Sequence, residues 1–217
     1  MAVSEMLRIV ILGPQGSGKG TQAELLSFHL GLPAFTMGGM LREEVTRNGS
    51  HASEIKPYLE AGTLVPHWIS IELLRKRLRA PDVVRGFICD GFPRAVEQQE
   101  AIDAIAPPTH VVVLQLSDEL AVERLTGRLV SACGEVYHVK WFPPKRPGIC
   151  DSCGGKLEHR TDDTPQAIRE RLSIYHHETE EVIRRYEAAG LVHYIDASGT
   201  VPVVHAAILE ALGLRKT

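Results

Sequence analysis

The run Gly13-Pro-Gln-Gly16-Ser17-Gly18-Lys19-Gly20-Thr21 follows the apolar stretch Leu7-Arg-Ile-Val-Ile-Leu12 without a gap. No other feature constrains the fold as much. A turn this rich in glycine needs a strand to launch it and a helix to receive it. Its glycines let backbone N–H groups curl inward without Cβ clashes, which makes a nest for phosphate oxygens. The start of the helix adds positive partial charge, and Lys19 supplies a mobile cation for the outer phosphates. The general motif carries Ser or Thr directly after the lysine; here Gly20 stands there and Thr21 follows. The loop alone implies nucleotide phosphates and suits a GTPase or ATPase as well as a kinase. A bare strand-to-helix turn with no ligand is the bland alternative, and the strand, helix and lysine together disfavour it.

Short β-like runs recur along the chain at 86–90, 110–116 and 191–196, with a shorter piece at 32–35. Apolar runs bounded by turn signals and separated by helical patterns predict buried parallel strands in an α/β layer fold. Helices are expected after Gly18 and over 66–79, 94–106, 118–126 and 165–189. Pro66 suits a first helical turn, and Gly190 suits a C-terminal stop. Residues 127–163 break the rhythm with Gly134, Pro143, Pro144, Pro147, Gly148, Gly154 and Gly155 and three cysteines. A loop that long inside a compact domain is unusual. It reads as a small inserted subdomain of turns and short strands. Asp90 closes the strand at 86–90 and resembles the strand-end acid that helps P-loop enzymes hold Mg²⁺.

Composition narrows the class. There are 27 acidic and 24 basic residues, a net charge of −3, so the basic excess of a nucleic-acid binder is missing. No apolar stretch has the length of a membrane span. The first residues lack the pattern of a secretory signal. A cytoplasmic, reducing setting is therefore expected, with no nucleic-acid or membrane partner. In that setting clustered cysteines read as metal ligands before disulfides. Cys89 lies in an apolar run and is expected in the core.

Further residues carry a family resemblance. The loop with Gly-Lys-Gly-Thr, the segment Asp90-Gly91-Phe92-Pro93-Arg94, and the later positions Gly127-Arg128, Tyr137-His138, Arg160-Thr-Asp-Asp163 and Arg169-Glu-Arg171 resemble adenylate kinases. The likeness covers essentially the whole chain in order, and it resembles the long form with a lid insert. It implies a P-loop three-layer fold with a five-stranded parallel sheet, a helical AMP-binding insert and a small β-rich lid. The implied division is a core of 1–35, 66–126 and 164–217, an AMP-binding part at 36–65 and a lid at 127–163. The implied reaction is reversible, Mg²⁺-dependent transfer, ATP + AMP giving two ADP, by a monomer. For the donor the resemblance implies Gly16, Ser17, Gly18, Lys19, Gly20 and Thr21, with Arg124, Arg128 and Val136, with Tyr137, or Tyr137 and His138, closing over it from the lid, and with Val201 near the base. For the acceptor it implies Met37, Arg42, Thr63, Leu64, Val65 and Gln98, with Gly91, Phe92, Pro93 and Arg94 beside the phosphate. Lys19, Arg94, Arg128, Arg160 and Arg171 would carry catalysis, and Asp162 and Asp163 would sit at the lid hinge. Arginine suits the task, because its planar fork meets phosphate oxygens and never loses its charge.

The chain also departs from the family pattern. Met37 stands where a threonine near the adenine is usual, and Gly39 where an acid near the metal is usual. That leaves Asp90 as the main Mg²⁺-associated acid. Val201 stands where a lysine often follows Gly-Thr. In the lid, Cys150-Asp-Ser-Cys153 looks like half a zinc knuckle, with Cys133 as a third thiolate and Val130 where a fourth cysteine belongs. The expectation is a structural Zn²⁺ or other transition metal, with His138 as fourth ligand; Asp151, His159 or water are the alternatives, and a metal-free lid is the bland one. The rival functions are transfer to another monophosphate, GTP as donor, or a non-catalytic nucleotide- or metal-sensing module.

Overall fold

A computed structural model of the chain describes residues 6–160 and 163–214. Strand β1 (Leu7–Leu12) is the centre of a five-stranded sheet with β2 (Ala34–Thr36), β3 (Gly86–Asp90), β4 (His110–Gln115) and β8 (Val192–Asp196). The order is β2-β3-β1-β4-β8, and every pairing is parallel. Side chains alternate across a strand, so each face of β1 buries its own set. Val10 and Leu12 pack into one core with Phe87, Cys89, Val111 and Val113. Ile9 and Ile11 pack into the other with Ile88, Val112 and Leu114. Helices on both faces complete the expected three layers. Cys89 is fully buried, as expected.

Helix α1 (Lys19–Leu30) and α9 (Val201–Ala211) cover the second face. On the first face lie α4 (His67–Leu78), α5 (Val96–Ile105) and α8 (Glu180–Ala188). Sequence reasoning did not anticipate α9, since a helix apolar almost throughout lacks a polar face to reveal its period. Pro66 is the N-cap of α4, one place before the helix starts. The segment 94–106 becomes helical only at Val96.

Two inserts rise from this frame. Between β2 and α4 come α2 (Met37–Thr46) and α3 (Ala52–Ala61). Thr36 caps α2, accepting from the Gly39 amide at 2.8 Å. Gly62 ends α3 at φ +78°, where an added Cβ would come within 2.9 Å of Ala167, so glycine lets the insert close against the long helix. After α6 (Asp118–Thr126) come β5 (Arg128–Ser131), β6 (Val136–His138) and β7 (Leu157–Glu158), an antiparallel sheet of its own with Tyr137, Cys150 and Leu157 as its core. The chain then enters α7 (Pro165–Ile174), capped by Thr164 accepting from Ala167 N at 3.1 Å. The expected single helix over 165–189 is not regular. A π turn, Tyr175–Thr179, separates α7 from α8. Gly190, at φ +71°, ends α8 as expected. No helix among the described residues is long and apolar enough to cross a membrane.

Candidate functional site

Strand order reverses at β1, with β3 on one side and β4 on the other. Ligands of open parallel sheets bind outside the carboxyl ends at such a switch point. The loop 13–18 leaves β1 there, and Asp90 ends β3 in register with Ile11. Gly16 takes φ +83°, and a Cβ on it would lie 2.8 Å from the Ala121 carbonyl, so the loop packs on α6 only as glycine. Lys19 folds back and donates to the carbonyls of Gly13 and Pro14, both at 2.8 Å. Burial lowers its pKa to about 8, with Asp90 raising it and Arg94 and Arg128 lowering it.

Asp90 is buried, and its Oδ1 has no hydrogen-bond partner among the described residues. Burial pushes its carboxyl up, while Lys19, Arg94 and Arg42 pull it down. The Ser17 hydroxyl and Gln15 Oε1 are likewise buried without partners. A buried polar atom without a partner carries a desolvation penalty unless a ligand meets it. Gln15, Ser17 and Asp90 line the same cleft as Lys19, and partnerless atoms on its wall suit an ion or phosphate. A Cβ at position 20 would sit 3.6 Å from Asp90 Oδ2, an ordinary contact, which places the acid directly beside the residue that follows Lys19.

These groups open into one continuous cleft of about 1350 Å³. Of the residues expected at the donor, Gly16 to Thr21, Arg124, Arg128, Val136 and Val201 line it. The Val201 carbonyl already accepts from Gln22 Nε2 at 3.1 Å. Of those expected at the acceptor, Met37, Arg42, Thr63, Leu64, Val65, Gly91, Arg94 and Gln98 line the same cleft, and so do Arg160 and Arg171. Met37 is nearly buried and serves the core as well as the cleft wall. Phe92 and Pro93 were expected at the acceptor, but they do not border the cleft. Both are buried, Phe92 completely, and they act as packing beneath Gly91. Tyr137 borders the cleft, yet its ring is mostly taken into the lid core, stacked on Phe142, with its hydroxyl accepting from Asp151 N at 2.9 Å.

Asp163 grips Arg128 through both carboxylate oxygens, with contacts of 2.6 to 2.8 Å. Arg171 approaches the same carboxylate at 3.4 Å. The expected hinge acid therefore joins lid to long helix; Asp162 lies outside the described residues. Arg94 is held by three bonds. Its N donates to Gln98 Oε1, its Nε to Gly91 O, and its carbonyl accepts from Thr179 Oγ1 at 3.1 Å. Thr179 closes the π turn, a role no local pattern announced.

In the lid, the sulfurs of Cys133, Cys150 and Cys153 all lie within 4.8 Å of one another. Cys133 and Cys150 are 3.7 Å apart. Two thiolates on a tetrahedral zinc, at Zn–S of about 2.3 Å, stand about 3.8 Å apart. His138 does not join them. It pairs with Arg128 at the hinge end of the β5–β6 hairpin, whereas Cys133 lies in the turn at the other end. Its Nδ1 accepts from the Lys140 and Trp141 amides, and its ring packs on Trp141 at 4.2 Å between centroids. The group beside the sulfurs is Ser131, with Oγ 2.7 Å from Cys133 and 3.8 Å from Cys153. Val130 precedes it on a strand and faces the other way. Ser131, and not Val130, stands in the place of the missing cysteine. Trp141, which also borders the cleft, carries the Arg124 guanidinium 5.7 Å from its ring centroid.

Comparison with known proteins agrees with this geometry. The family model for adenylate kinase matches residues 11–191. A protein named adenylate kinase from Methanothrix thermoacetophila is 42% identical over 212 residues, covering 95% of this chain and 98% of its own. Adenylate kinases of Streptomyces avermitilis and Moorella thermoacetica are 39% and 40% identical, each over 95% of this chain and 97% and 98% of their own.

Proposed function

The chain belongs to the adenylate kinase family of phosphotransferases, and from that premise we propose how its residues divide the transfer of a phosphoryl group from ATP to AMP. One observation carries the reading: the phosphate loop, Asp90 and the arginines converge on a single cleft.

In this reading the triphosphate enters along Gly16 to Thr21, and Lys19 exchanges the carbonyls of Gly13 and Pro14 for its outer phosphate oxygens. Arg124 and Trp141 flank the donor base side, with Val136 and Val201 as apolar walls. AMP lies in the other arm, with Arg42 and Arg94 on its phosphate, residues Thr63 to Val65 along the nucleoside and Gln98 at the base edge. Arg128, Arg160 and Arg171 face the phosphates between. The attacking phosphate oxygen of AMP is already anionic, so no general base is required. Catalysis then rests on alignment and charge neutralisation. The partnerless Oδ1 of Asp90 fits the coordination sphere of Mg²⁺ brought in with ATP. When bound, that cation neutralises oxygens of the transferring group.

Water must be kept out, or ATP would be hydrolysed. Residues 36–65 and 127–163 are the closing parts; beyond Thr36, which ends β2, each lies outside the central sheet, and Asp163 links the lid to the helix that carries Arg171. Both arms are built by one chain, which suits action as a monomer. The thiol cluster suits a structural Zn²⁺ with Cys133, Cys150 and Cys153 as ligands and Ser131 or water in the fourth place. Such free thiols suit a reducing, cytoplasmic setting.

A panel of monophosphate acceptors in a coupled assay with Mg²⁺ and ATP tests the function. AMP is expected to turn over fastest, and faster turnover of UMP or CMP would overturn the acceptor assignment.

A further inference from the structure

The acceptor arm contains a hydrogen-bond chain that the transfer itself does not require. The Ser70 hydroxyl donates to the His67 carbonyl at 2.8 Å. Gln98 Nε2 donates to Ser70 Oγ at 3.1 Å. Arg94 N donates to Gln98 Oε1 at 2.8 Å. Ser70 and Gln98 are 1% and 3% exposed, and both border the cleft.

The chemistry of the four groups admits one arrangement. A backbone N–H can only donate, so the Gln98 atom facing Arg94 N must be the oxygen. Nε2 then faces Ser70. The Ser70 proton is already committed to a carbonyl, so Ser70 presents a lone pair and holds the amide nitrogen there. A flipped amide would set its NH₂ against the Arg94 N–H and its oxygen against the Ser70 lone pair. After these bonds, Gln98 keeps one N–H and one oxygen lone pair. An adenine edge offers a ring nitrogen that accepts beside an amino group that donates. A hypoxanthine edge offers the opposite order, a ring N–H beside a carbonyl. An amide locked in one orientation matches the first and opposes the second.

We propose that Ser70 is a positioning residue that locks the orientation of the Gln98 amide and thereby makes the acceptor arm select a 6-amino purine over a 6-oxo purine. The proposal rests on the reading of Gln98 as the group at the acceptor base edge. Ser70 touches no reacting atom and acts only through Gln98. Arg94, which fixes the other end of the amide through its backbone, also serves the phosphate, so base reading and phosphate binding share one support.

The test compares AMP and IMP as acceptors at saturating ATP in the wild type, Ser70→Ala and Ser70→Thr. Removing the hydroxyl frees the amide to flip. Ser70→Ala is expected to narrow the AMP-to-IMP ratio of kcat/KM by about tenfold, the scale of one hydrogen bond in discrimination. The change should appear in the acceptor KM, with KM for ATP and the thermal midpoint close to wild type. Ser70→Thr, which restores a hydroxyl, should recover the ratio. An unchanged ratio in Ser70→Ala overturns the proposal. So does an equal loss on both acceptors, or a loss that Ser70→Thr leaves in place, since either marks simple packing. A wild type that phosphorylates IMP as readily as AMP overturns the proposal while leaving the phosphotransferase reading intact. A wild type that phosphorylates neither overturns both.

Discussion

Lys19 rests on the carbonyls of its own loop, and burial has brought its pKa down to about 8. Its charge is thus lost from the empty protein within reach of ordinary buffers. A phosphate-binding lysine must be protonated to serve, so ATP affinity should be flat below about pH 8 and decline above it, by up to about tenfold per pH unit. Calorimetric titration with ATP from pH 7 to 9.5 checks this. A decline of the same size in Lys19→Met would contradict it, since that variant has no proton to lose. The stability of the empty protein should move the other way. The unfolded chain binds the lysine proton up to its ordinary pKa of 10.5, and the folded chain only up to about 8. Between those values the unfolded state binds more protons, so this group makes stability rise with pH. The departures from the family pattern also find local reasons. Met37 belongs to the core as much as to the cleft. Gly39 gives its amide to the Thr36 cap, and a Cβ there would lie 2.7 Å from the capping oxygen.

Among the elements, the π turn Tyr175–Thr179 connects regions that the local sequence keeps apart. Thr179 supports the Arg94 backbone, and Tyr175 lines a small cavity of about 30 Å³ together with Lys19, Arg94 and Arg171. His176 ties the turn to α6, with Nδ1 2.7 Å from Glu180 and Nε2 3.0 Å from Asp118. It is half exposed, and it bridges two helices. The Glu180 bond and Asp118 raise its pKa against the effect of burial. Its contribution should be full below the ordinary histidine pKa of 6.5 and vanish as pH rises through the raised folded value. Thermal midpoints of the wild type and His176→Asn should therefore differ most near pH 5.5 and converge towards pH 8. A difference that grows with pH would contradict the bridge. The lid offers a second prediction at this scale. Purified protein should carry about one equivalent of zinc, and Cys150→Ala should carry less than about a tenth. Stoichiometric metal in Cys150→Ala, or none in the wild type, would contradict the thiolate site.

The whole molecule shows why some of this was legible in the sequence and some was not. Strands β1 and β3 fall on the expected residues because both lie in the sheet interior, where short apolar runs end sharply at glycine or acid. The loop between β1 and α1 was equally plain, since its glycines answer a local demand. The fourth lid ligand was misread because nearness in sequence to Cys133 suggested His138, whereas hairpin register sends those two residues to opposite ends. The π turn stayed hidden because helical spacing of apolar residues survives one inserted residue. Ser70 stayed hidden because one serine on an amphipathic helix carries no pattern; only the fold brings it to Gln98. The central claim concerns the molecule as a whole, one cleft with two arms that passes a phosphoryl group between nucleotides. Phosphorus NMR of the protein with equimolar ATP, AMP and Mg²⁺ tests it most directly. The account predicts two ADP for each AMP consumed, with no early release of inorganic phosphate. Phosphate appearing while AMP persists, or no change in any resonance, would contradict it.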